Sequence, residues 1–411
     1  MDTLSHEMTL KTVIANAPGS DYSLVFQVKD KSTGLTTILR TSLTVVNNYS
    51  KGVAILSNVD GMAIVSFINS LGKVTTNAYE AVNGRQLGRG PIGIFHGGHN
   101  GSCRQQLFIS TQDSCVVVSN IGFNYEMNFD ELLYFPSKPG RLQALSQGTD
   151  GFYEYCIVDG NVFMRSCWVY TGEPDLPLYA TRLACKNGDL VAPFGFSKDN
   201  STAYFYDMEK RQFVYDNNDS LMPLSDGYGN GYFDPLNVGM DMVWGENLVT
   251  ADGQSYVKAV MRDDEGNVFV LSGLKQNKFD FETYESLYYI VPTGKLQLTG
   301  DASNANCYAM SGIDVNFLYY ATANTITCVS TITGNVVSTI TLDGGNIDHM
   351  EFDQNDASRM FVALSDGSLK PNSGTVYYLS MSTNGQLSIE KKFDGICGKV
   401  VDFQVNYGDN D

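Results

Sequence analysis

The sequence predicts an all-β chain, and three observations lead to that fold class. The chain of 411 residues holds 40 glycines, 24 tyrosines and 22 phenylalanines but only 18% charged residues, a composition that favours strands and tight turns. Hairpin-like stretches recur along it, and no stretch of eleven or more residues shows the 3.6-residue periodicity of a helix. We therefore expect an architecture built from repeated β units.

Four stretches share one pattern, in which a polar turn with Asp or Asn precedes an aromatic-rich strand and a tight turn. Three continue directly into another strand, and the fourth does so after the loop KPNSG. The Asp-Gly pairs in VDGN and SDGS are typical of two-residue hairpin turns. The four hairpins are TDGFYEYCIVDGNVFMRS (149–166), KDNSTAYFYDMEKRQFVYD (198–216), DVNFLYYATANTITCVST (314–331) and NDASRMFVALSDGSL (355–369).

Short apolar segments that contain glycine precede the hairpins, at an average spacing of about 50 residues, which is typical of four-stranded propeller blades. Small residues and mixed Val, Ile and Met suit the crowded innermost strand of a blade. There are seven such segments: GPIGIFHG, RLQALSQG, GDLVAPFGF, NVGMDMVWG, ANCYAMSG, GNIDHMEF and GKVVDFQV, near Gly90, Arg141, Gly188, Asn237, Ala305, Gly345 and Gly398.

The last of these segments has no hairpin after it, whereas the stretch Gly52–Thr76 contains a hairpin and a further strand without an inner strand directly before them. The residues Val400–Val405 would complete this first blade and leave few exposed strand edges. We therefore predict a β-propeller over 51–411, closed by the C-terminal strand and most simply seven-bladed. Six or eight blades stay open, because Gly266–Gly300 is long enough to contain an irregular insertion.

The stretch Ser20–Val46 resembles the last strands of a PKD-type, immunoglobulin-like β-sandwich module. A whole sandwich needs about seven strands in about 100 residues, so we assign residues 1–50 to a partial PKD-like module. The residues that carry the resemblance are Tyr22, Leu24, Phe26, Val28, Asp30, Gly34, Leu43, Val45 and Val46.

The segments NNYSKGVAILS and GRQLGRGPIG (84–93) extend the resemblance to the PKD-like lipoprotein family of gut Bacteroidetes, in which such a module precedes a propeller-like domain. The resemblance covers the first hundred or so residues best. It implies a secreted protein of the cell envelope, outer-membrane-anchored or periplasmic, often encoded beside glycan-uptake machinery. The leader, the lipidated cysteine and most of the sandwich of that pattern are absent from this sequence.

Charge and hydropathy exclude several partners. The 27 basic and 45 acidic residues give a net charge of −18, which argues against nucleic acid and against an anionic membrane surface, since phosphate recognition relies on Lys and Arg. No apolar run reaches the roughly 18 to 20 residues of a transmembrane span. We expect a monomer whose partner is a glycan or an envelope protein.

Motifs for metals and cofactors are weak. The HGGH motif (His96 to His99) with Cys103 has zinc-ligand residue types, but it lies in a glycine-rich loop without an accompanying carboxylate, and a turn explains it better. The stretch 225–235 is similar to the start of a calcium-binding loop, but Tyr228 occupies the third ligand position and Asn237 the twelfth, where a bidentate Glu is required. We predict no metal site, no cofactor and no catalytic residue. The eight cysteines form no CxxC pair, and we interpret all of them as buried free thiols.

The strongest functional signal is aromatic. A glycine-rich loop after the fourth blade carries aromatic rings and acidic residues. One tryptophan, Trp244, lies at the end of a proposed inner strand, and the other, Trp168, at the end of the hairpin 149–166. Exposed rings beside carboxylates suit stacking on sugar faces, although aromatic residues also fill the space between blades. The predicted ligand-binding residues are Trp244, Tyr228, Tyr232, Phe233, Trp168, Asp226 and Asp234.

Two functions follow from these features. The first is a non-catalytic envelope protein whose propeller binds a glycan or a protein. The alternative is a carbohydrate-active enzyme, a hydrolase or a lyase, with two carboxylates at a spacing that one sequence does not reveal.

Overall fold

A computed structural model describes most of the chain. The described residues are 5–7, 9–10, 21–44, 47–98, 103, 105–134, 140–147, 153–167, 178–179, 181–185, 188, 190–197, 202–217, 220–225, 231–312 and 316–407.

Strands dominate the described residues. The strands of the first half are β1 (Asp21–Lys29), β2 (Thr36–Thr44), β3 (Gly52–Val59), β4 (Met62–Asn69), β5 (Val74–Thr75), β6 (Pro91–Gly97), β7 (Gln106–Thr111), β8 (Cys115–Ser119), β9 (Tyr125–Asn128), β10 (Leu142–Gln147), β11 (Tyr153–Val158), β12 (Asn161–Ser166), β13 (Thr181–Leu183), β14 (Tyr204–Asp207), β15 (Gln212–Asp216) and β16 (Leu221–Pro223). Those of the second half are β17 (Asp241–Val249), β18 (Ser255–Arg262), β19 (Val268–Asp280), β20 (Glu285–Gln297), β21 (Cys307–Met310), β22 (Phe317–Thr322), β23 (Thr325–Ser330), β24 (Val336–Thr341), β25 (Asn346–Phe352), β26 (Arg359–Ser365), β27 (Gly374–Met381), β28 (Leu387–Cys397) and β29 (Lys399–Asn406). The described helices are α1 (Ala78–Asn83) and two 3₁₀ turns, Phe129–Leu132 and Gly300–Asn304.

Seven antiparallel sheets follow one another along the chain and form a seven-bladed β-propeller, which confirms the predicted fold class. Blade 1 has the strand order β29-β3-β4-β5. Blades 2 and 3 are β6 to β9 and β10 to β13, blade 4 is β14 to β16, and blades 5, 6 and 7 are β17 to β20, β21 to β24 and β25 to β28.

The ring is closed by the C-terminal strand, as the sequence predicts. Strand β29 pairs with β3 from Lys399 opposite Asn58 to Asn406 opposite Gly52. Phe403 is buried between blades 7 and 1. Because β29 completes the blade that the N-terminal part of the propeller begins, the backbone groups of β3 on that side are paired rather than exposed.

The core is divided among the interfaces between blades. In the described part of the chain, seven clusters of buried apolar side chains occur, and each combines residues from two adjacent blades. Between blades 6 and 7, for example, Tyr319 packs edge-on against Phe352 at 5.3 Å between ring centroids. Most of the many tyrosines and phenylalanines are explained by this packing.

Blade 4 departs from the regular pattern. The segment GDLVAPFGF does not form a continuous inner strand but touches β14 through two isolated bridges, Val191 to Asp207 and Phe196 to Tyr204. Pro193 has no N–H to donate to a ladder, and the N–H of Phe194 turns back to the carbonyl of Ala192. The blade is therefore completed by a bent segment.

The long segment 266–300 contains no additional blade. Strands β19 and β20 have 13 residues each and pair along their whole length, from Phe269 opposite Gln297 to Asp280 opposite Glu285. They form the two outer strands of blade 5 and a hairpin longer than any other in the described residues.

The N-terminal strands β1 and β2 pair in register from Asp21 opposite Thr44 to Lys29 opposite Thr36. The Asp30 side chain accepts hydrogen bonds from the N–H groups of Ser32 and Thr33 in the connecting turn. Val45 and Val46 lie outside the described residues. The division of the chain into a module over 1–50 and a propeller over 51–411 stays a prediction.

The interpretation of all eight cysteines as free thiols is wrong for two of them. Cys103 and Cys167 form a disulfide with a Cα–Cα distance of 5.1 Å, between the β6–β7 connection of blade 2 and the end of β12 in blade 3. The other six cysteines, all among the described residues, are not disulfide-bonded, and of these six only Cys307 is not fully buried. The two bonded residues are 64 positions apart, and their proximity arises only when blades 2 and 3 stack.

Candidate functional site

The inner strands of adjacent blades contact one another around the axis of the propeller, where β25, β29, β6 and β10 follow in turn. In the described residues, the pairing of five inner strands shifts register near their start, as at a β-bulge, and such a shift re-aims the residue that follows it. The residues directly after the bulges are Gly93, Ala144, Trp244, His349 and Asp402.

Three polar side chains meet at the inner strands of blades 7 and 1, and we call them the channel cluster: His349, Glu351 and Asp402. His349 Nε2 lies 3.4 Å from Asp402 Oδ1 and 3.9 Å from Glu351 Oε2. One ligand atom of each residue lies within 4.8 Å of the others. His349 and Glu351 share one face of β25 because strand side chains alternate.

Backbone donors hold the Asp402 carboxylate in place. Its Oδ2 accepts a hydrogen bond of 2.9 Å from the N–H of Ile94 in blade 2, and its Oδ1 accepts one of 3.0 Å from Phe403 N–H. The Phe403 ring also packs on the His349 imidazole, at 5.6 Å between centroids. The cluster is therefore built on rigid strands and connects three blades.

Burial dominates the electrostatics of the channel cluster. It raises the pKa of Asp402 to about 7; His349 and the backbone donors oppose this shift, and the Glu351 carboxylate adds to it. Burial also lowers the pKa of His349, an effect that Asp402 and Asp348 oppose. Near neutral pH the site thus combines a neutral imidazole with an acid poised to exchange a proton, and it has the residue types for proton transfer or for binding a cation.

The sequence did not indicate this site. The apolar residues of GNIDHMEF and GKVVDFQV predict inner strands, but they do not indicate that the polar residues of the two segments meet. One pattern in the sequence could have indicated the site. A His and a Glu lie two positions apart in one inner segment, and the inner segment of the neighbouring blade has an Asp at the position that corresponds to the His.

Four of the seven predicted ligand-binding residues lie in the described part of the chain, and two of these four pack at different interfaces between blades. Trp168, Asp226 and Tyr228 lie outside the described residues. Phe233 packs against the cluster between blades 4 and 5, whereas Trp244 packs against the one between blades 5 and 6, on the opposite face of blade 5.

The remaining two predicted residues lie in the loop before blade 5. Tyr232 is exposed to solvent. Asp234 accepts a hydrogen bond from Leu236 N–H, as expected for a turn residue. The ligand-binding role of all seven residues stays a prediction.

A second candidate surface lies at the end of the β19–β20 hairpin, and we call it the aromatic tip: Phe279, Phe281 and Tyr284. Their exposed fractions are 44%, 79% and 79%. The Phe279 ring lies nearly perpendicular to both others, at 5.1 Å from Phe281 and 6.4 Å from Tyr284. The segment that forms it, KFDFETYES (278–286), lies within the stretch 266–300, whose length left the number of blades open in the sequence.

Close to its tip, the same hairpin contacts blade 4 and the start of the predicted aromatic loop. Ser225 N–H donates to Tyr288 O at 2.8 Å, and the Tyr288 ring packs on Tyr215 at 4.6 Å between centroids. These contacts hold the hairpin at the fourth residue of β20, while the rings of the aromatic tip stay exposed.

Comparison with known proteins supports the fold and the resemblance of the N-terminal part of the chain to the PKD-like family. Residues 1–91 match the PKD-like family, a span that includes β1 and β2 and all of β3 to β5 in blade 1. No curated protein matches the chain. Among the described residues, no helix has the length and apolar character needed to cross a membrane.

Solved structures with the same architecture share little sequence with this chain. A candidate 6-phosphogluconolactonase from Bacteroides uniformis ATCC 8492 superposes with a TM-score of 0.51 at 9% identity, covering 87% of this chain and 99% of that one. The RRP9 WD40 repeats give a TM-score of 0.45 at 11% identity, covering 76% of this chain and 83% of that one. At such identities the likeness extends to the fold alone.

Proposed function

We propose that this chain is a non-catalytic binding protein of the cell envelope, whose propeller presents a glycan-binding face linked to glycan uptake. The observation that carries the proposal is the aromatic tip of blade 5, where Phe281 and Tyr284 are each 79% exposed. Large aromatic rings gathered at an exposed position favour a binding role, because leaving such apolar area in water is unfavourable.

The chemistry of the tip favours a sugar over a flat apolar partner. Carboxylates and hydroxyls alternate with the rings in the sequence FDFETYES (279–286). The Asp280 side chain accepts a hydrogen bond from Glu282 N–H, which orders the turn between the rings. Rings can stack on the apolar faces of sugars while the neighbouring oxygens accept hydrogen bonds from hydroxyls.

Charge narrows the class of glycan. Three acidic residues, Asp280, Glu282 and Glu285, surround the rings, with Lys278 as the nearest basic residue in the sequence. This local charge, like the net charge of −18, repels sulfated or uronic-acid polymers. We therefore propose a neutral polysaccharide as the ligand.

Location in the envelope is part of the proposal. The Cys103–Cys167 disulfide supports it, because such bonds persist in oxidising compartments outside the cytosol. The PKD-like match over the first 91 residues supports the suggested membership of the gut Bacteroidetes lipoproteins. Lipid anchoring and a monomeric state are expectations of the same proposal.

The test is affinity electrophoresis of the purified chain through gels containing neutral or acidic plant and host polysaccharides. We expect one neutral glycan to retard the chain, and the double variant Phe281→Ala/Tyr284→Ala to lose that retardation. The matched control is Tyr153→Ala, since Tyr153 is an exposed aromatic residue of blade 3.

Tyr232→Ala tests the loop that the sequence indicated. Loss of binding in this variant alone would move the site to that loop. Retardation by acidic glycans only, or equal loss in the control, would overturn the proposal for the aromatic tip. If none of the glycans retards the chain, a protein partner becomes the better hypothesis.

A second function, a carbohydrate-active enzyme, is favoured by the channel cluster. Asp402, with a pKa raised by burial to about 7, could serve as an acid beside the Glu351 carboxylate. The test is the release of reducing sugars in the same polysaccharide samples. Release by the native chain that falls at least about 100-fold in Asp402→Asn, the usual contribution of a general acid, would make it an enzyme; no release leaves the binding function.

A further inference from the structure

We propose that the channel cluster binds a divalent transition-metal ion, with Zn²⁺ as the simplest occupant. The ligands are His349 Nε2 and one carboxylate oxygen each from Glu351 and Asp402. This inference goes beyond the proposed glycan function, because it concerns a different part of the propeller and requires no sugar.

The distances between the ligand atoms suit a metal ion. Zinc–nitrogen and zinc–oxygen bonds of about 2.0–2.1 Å place two tetrahedral ligand atoms about 3.3 Å apart. The observed separations from His349 Nε2 are 3.4 Å to Asp402 and 3.9 Å to Glu351. A small rotation of the Glu351 side chain completes the arrangement.

An unsatisfied nitrogen lies at the centre of the cluster. His349 Nε2 is buried and has no hydrogen-bond partner within the described part of the chain, although two carboxylate oxygens are near it. A buried polar atom without a partner is unfavourable by about 1–3 kcal/mol. A cation bonded to this nitrogen would give it a partner, with one carboxylate oxygen each from Glu351 and Asp402 as further ligands.

Neighbouring groups hold two of the three ligand side chains in a fixed orientation, as outer contacts do in metal sites. The Ile94 N–H holds Asp402 Oδ2 and fixes the orientation of the carboxylate, and the Phe403 ring supports the imidazole. Outer contacts of this kind orient metal ligands and raise affinity. The ligands come from β25 and β29, which are the inner strands of two adjacent blades and contact each other.

The ligand set selects the class of metal. One imidazole nitrogen with two carboxylate oxygens suits Zn²⁺ or its transition-metal neighbours, whereas Ca²⁺ and Mg²⁺ take oxygen ligands almost entirely. Three protein ligands leave a position for water or for a bound molecule. The competing explanation is a simple ion pair between a protonated His349 and the carboxylates, which needs no metal.

The experiment is calorimetric titration of the chelator-treated, tag-free full chain with ZnCl₂, with elemental analysis of the dialysed complex. We expect one tightly bound ion per chain and a rise in melting temperature on loading. His349→Ala should lose this ion, and Glu351→Gln should weaken binding at least about 10- to 100-fold, the loss that even outer contacts of metal ligands produce. The matched control is His6→Ala, because His6 is an exposed histidine far along the chain from the cluster.

A second measurement guards against a variant that misfolds. Asp402→Asn keeps an oxygen for the Ile94 N–H but removes the charge, and its circular dichroism spectrum should match that of the native chain. Titration with Co²⁺ should produce ligand-field bands in the native chain that are weak or absent in folded Asp402→Asn. Equal Zn²⁺ binding by the native chain and folded His349→Ala, or no binding by the native chain, would overturn the proposal. Because neither readout involves a glycan, failure here leaves the glycan proposal standing, and the reverse also holds.

Discussion

Replacement of Arg165 by methionine should destabilise the propeller strongly, because it leaves a buried carboxylate without its cation. Arg165 and Glu154 have side-chain exposures of 0% each, and Arg165 Nη2 lies 2.7 Å from Glu154 Oε1. Glu154 also accepts hydrogen bonds from Gly98 N–H at 2.6 Å and from the Tyr179 hydroxyl. The pair thus connects the end of β6 in blade 2 to blade 3.

The burial of the ion pair determines how much stability the Arg165→Met variant should lose. Removing one partner of a buried ion pair typically destabilises a protein by about 3–5 kcal/mol, because the remaining charge stays desolvated. The two hydrogen bonds from Gly98 and Tyr179 retain part of the compensation for Glu154, so we expect about 3 kcal/mol, the lower end of that range.

The same blade offers a matched control. Arg141 Nε lies 2.5 Å from Asp159 Oδ1, but these side chains are 56% and 42% exposed. Exposed pairs contribute about 0–1 kcal/mol. Arg141→Met should therefore have little effect on stability, although its ion pair is at least as short.

The assay is urea unfolding of the native chain and both variants, followed by tryptophan fluorescence and far-ultraviolet circular dichroism. Arg165→Met should shift the unfolding midpoint clearly further than Arg141→Met. Equal shifts in the two variants would refute the reasoning from burial. The double variant Arg165→Met/Glu154→Gln should recover part of the loss, since it removes the unpaired charge.

Further predictions concern closure, backbone geometry and thiol chemistry. Phe403→Ala should lower the free energy of unfolding by about 3–5 kcal/mol, because the Phe403 ring is buried between blades 7 and 1. Phe281→Ala at the exposed tip should change the free energy of unfolding, measured with urea, by no more than about 0.5 kcal/mol. Similar losses in both variants would contradict the assigned burial. Gly345→Ala should destabilise the protein more than Gly367→Ala in the same assay. Both glycines have positive φ, but a Cβ at Gly345 would lie 2.0 Å from the carbonyl oxygen of a residue in the neighbouring strand, whereas a Cβ at Gly367 would meet nothing within 4 Å. Burial, with Asp348 adding, raises the pKa of Cys307 to about 12, so stability from its neutral thiol is present below the unfolded value of about 8.5 and is lost as the pH rises towards 12. Iodoacetamide at pH 9 should accordingly label Cys307 in the urea-unfolded chain but not in the folded one, and fast labelling of the folded chain would show that the thiol is ionised there.

Much of the fold could be predicted because local chemistry specifies it. The VDGN turn needs two residues with positive φ, and Asp159 and Gly160 have φ values of 48° and 72°. The missing inner strand of the first blade predicted the pairing of β29 with β3, since an open edge in a propeller requires a partner. The inner segment of blade 4 was predicted as a strand from its apolar residues, but Pro193 interrupts it.

The candidate sites could not be predicted to the same degree. Trp244 and Phe233 are near each other in sequence, but they lie on opposite faces of blade 5. Phe233 packs towards blade 4 and Trp244 towards blade 6, and the sequence does not show which face a loop or strand residue takes. The aromatic tip follows from the length of β19 and β20, which only their register shows.

The sequence by itself determined the all-β class and the closure of the ring, because turn chemistry, strand composition and spacing act over short distances along the chain. It favoured seven blades but left six or eight open, and the strand pairing of the folded chain decided the number. The tertiary structure alone decided which polar groups meet. His349 and Asp402 come together because blades 7 and 1 are adjacent only after the ring closes, and Cys103 reaches Cys167 because blades 2 and 3 stack. Contacts between blades depend on how whole sheets pack around an axis, and that packing is a property of all seven blades together.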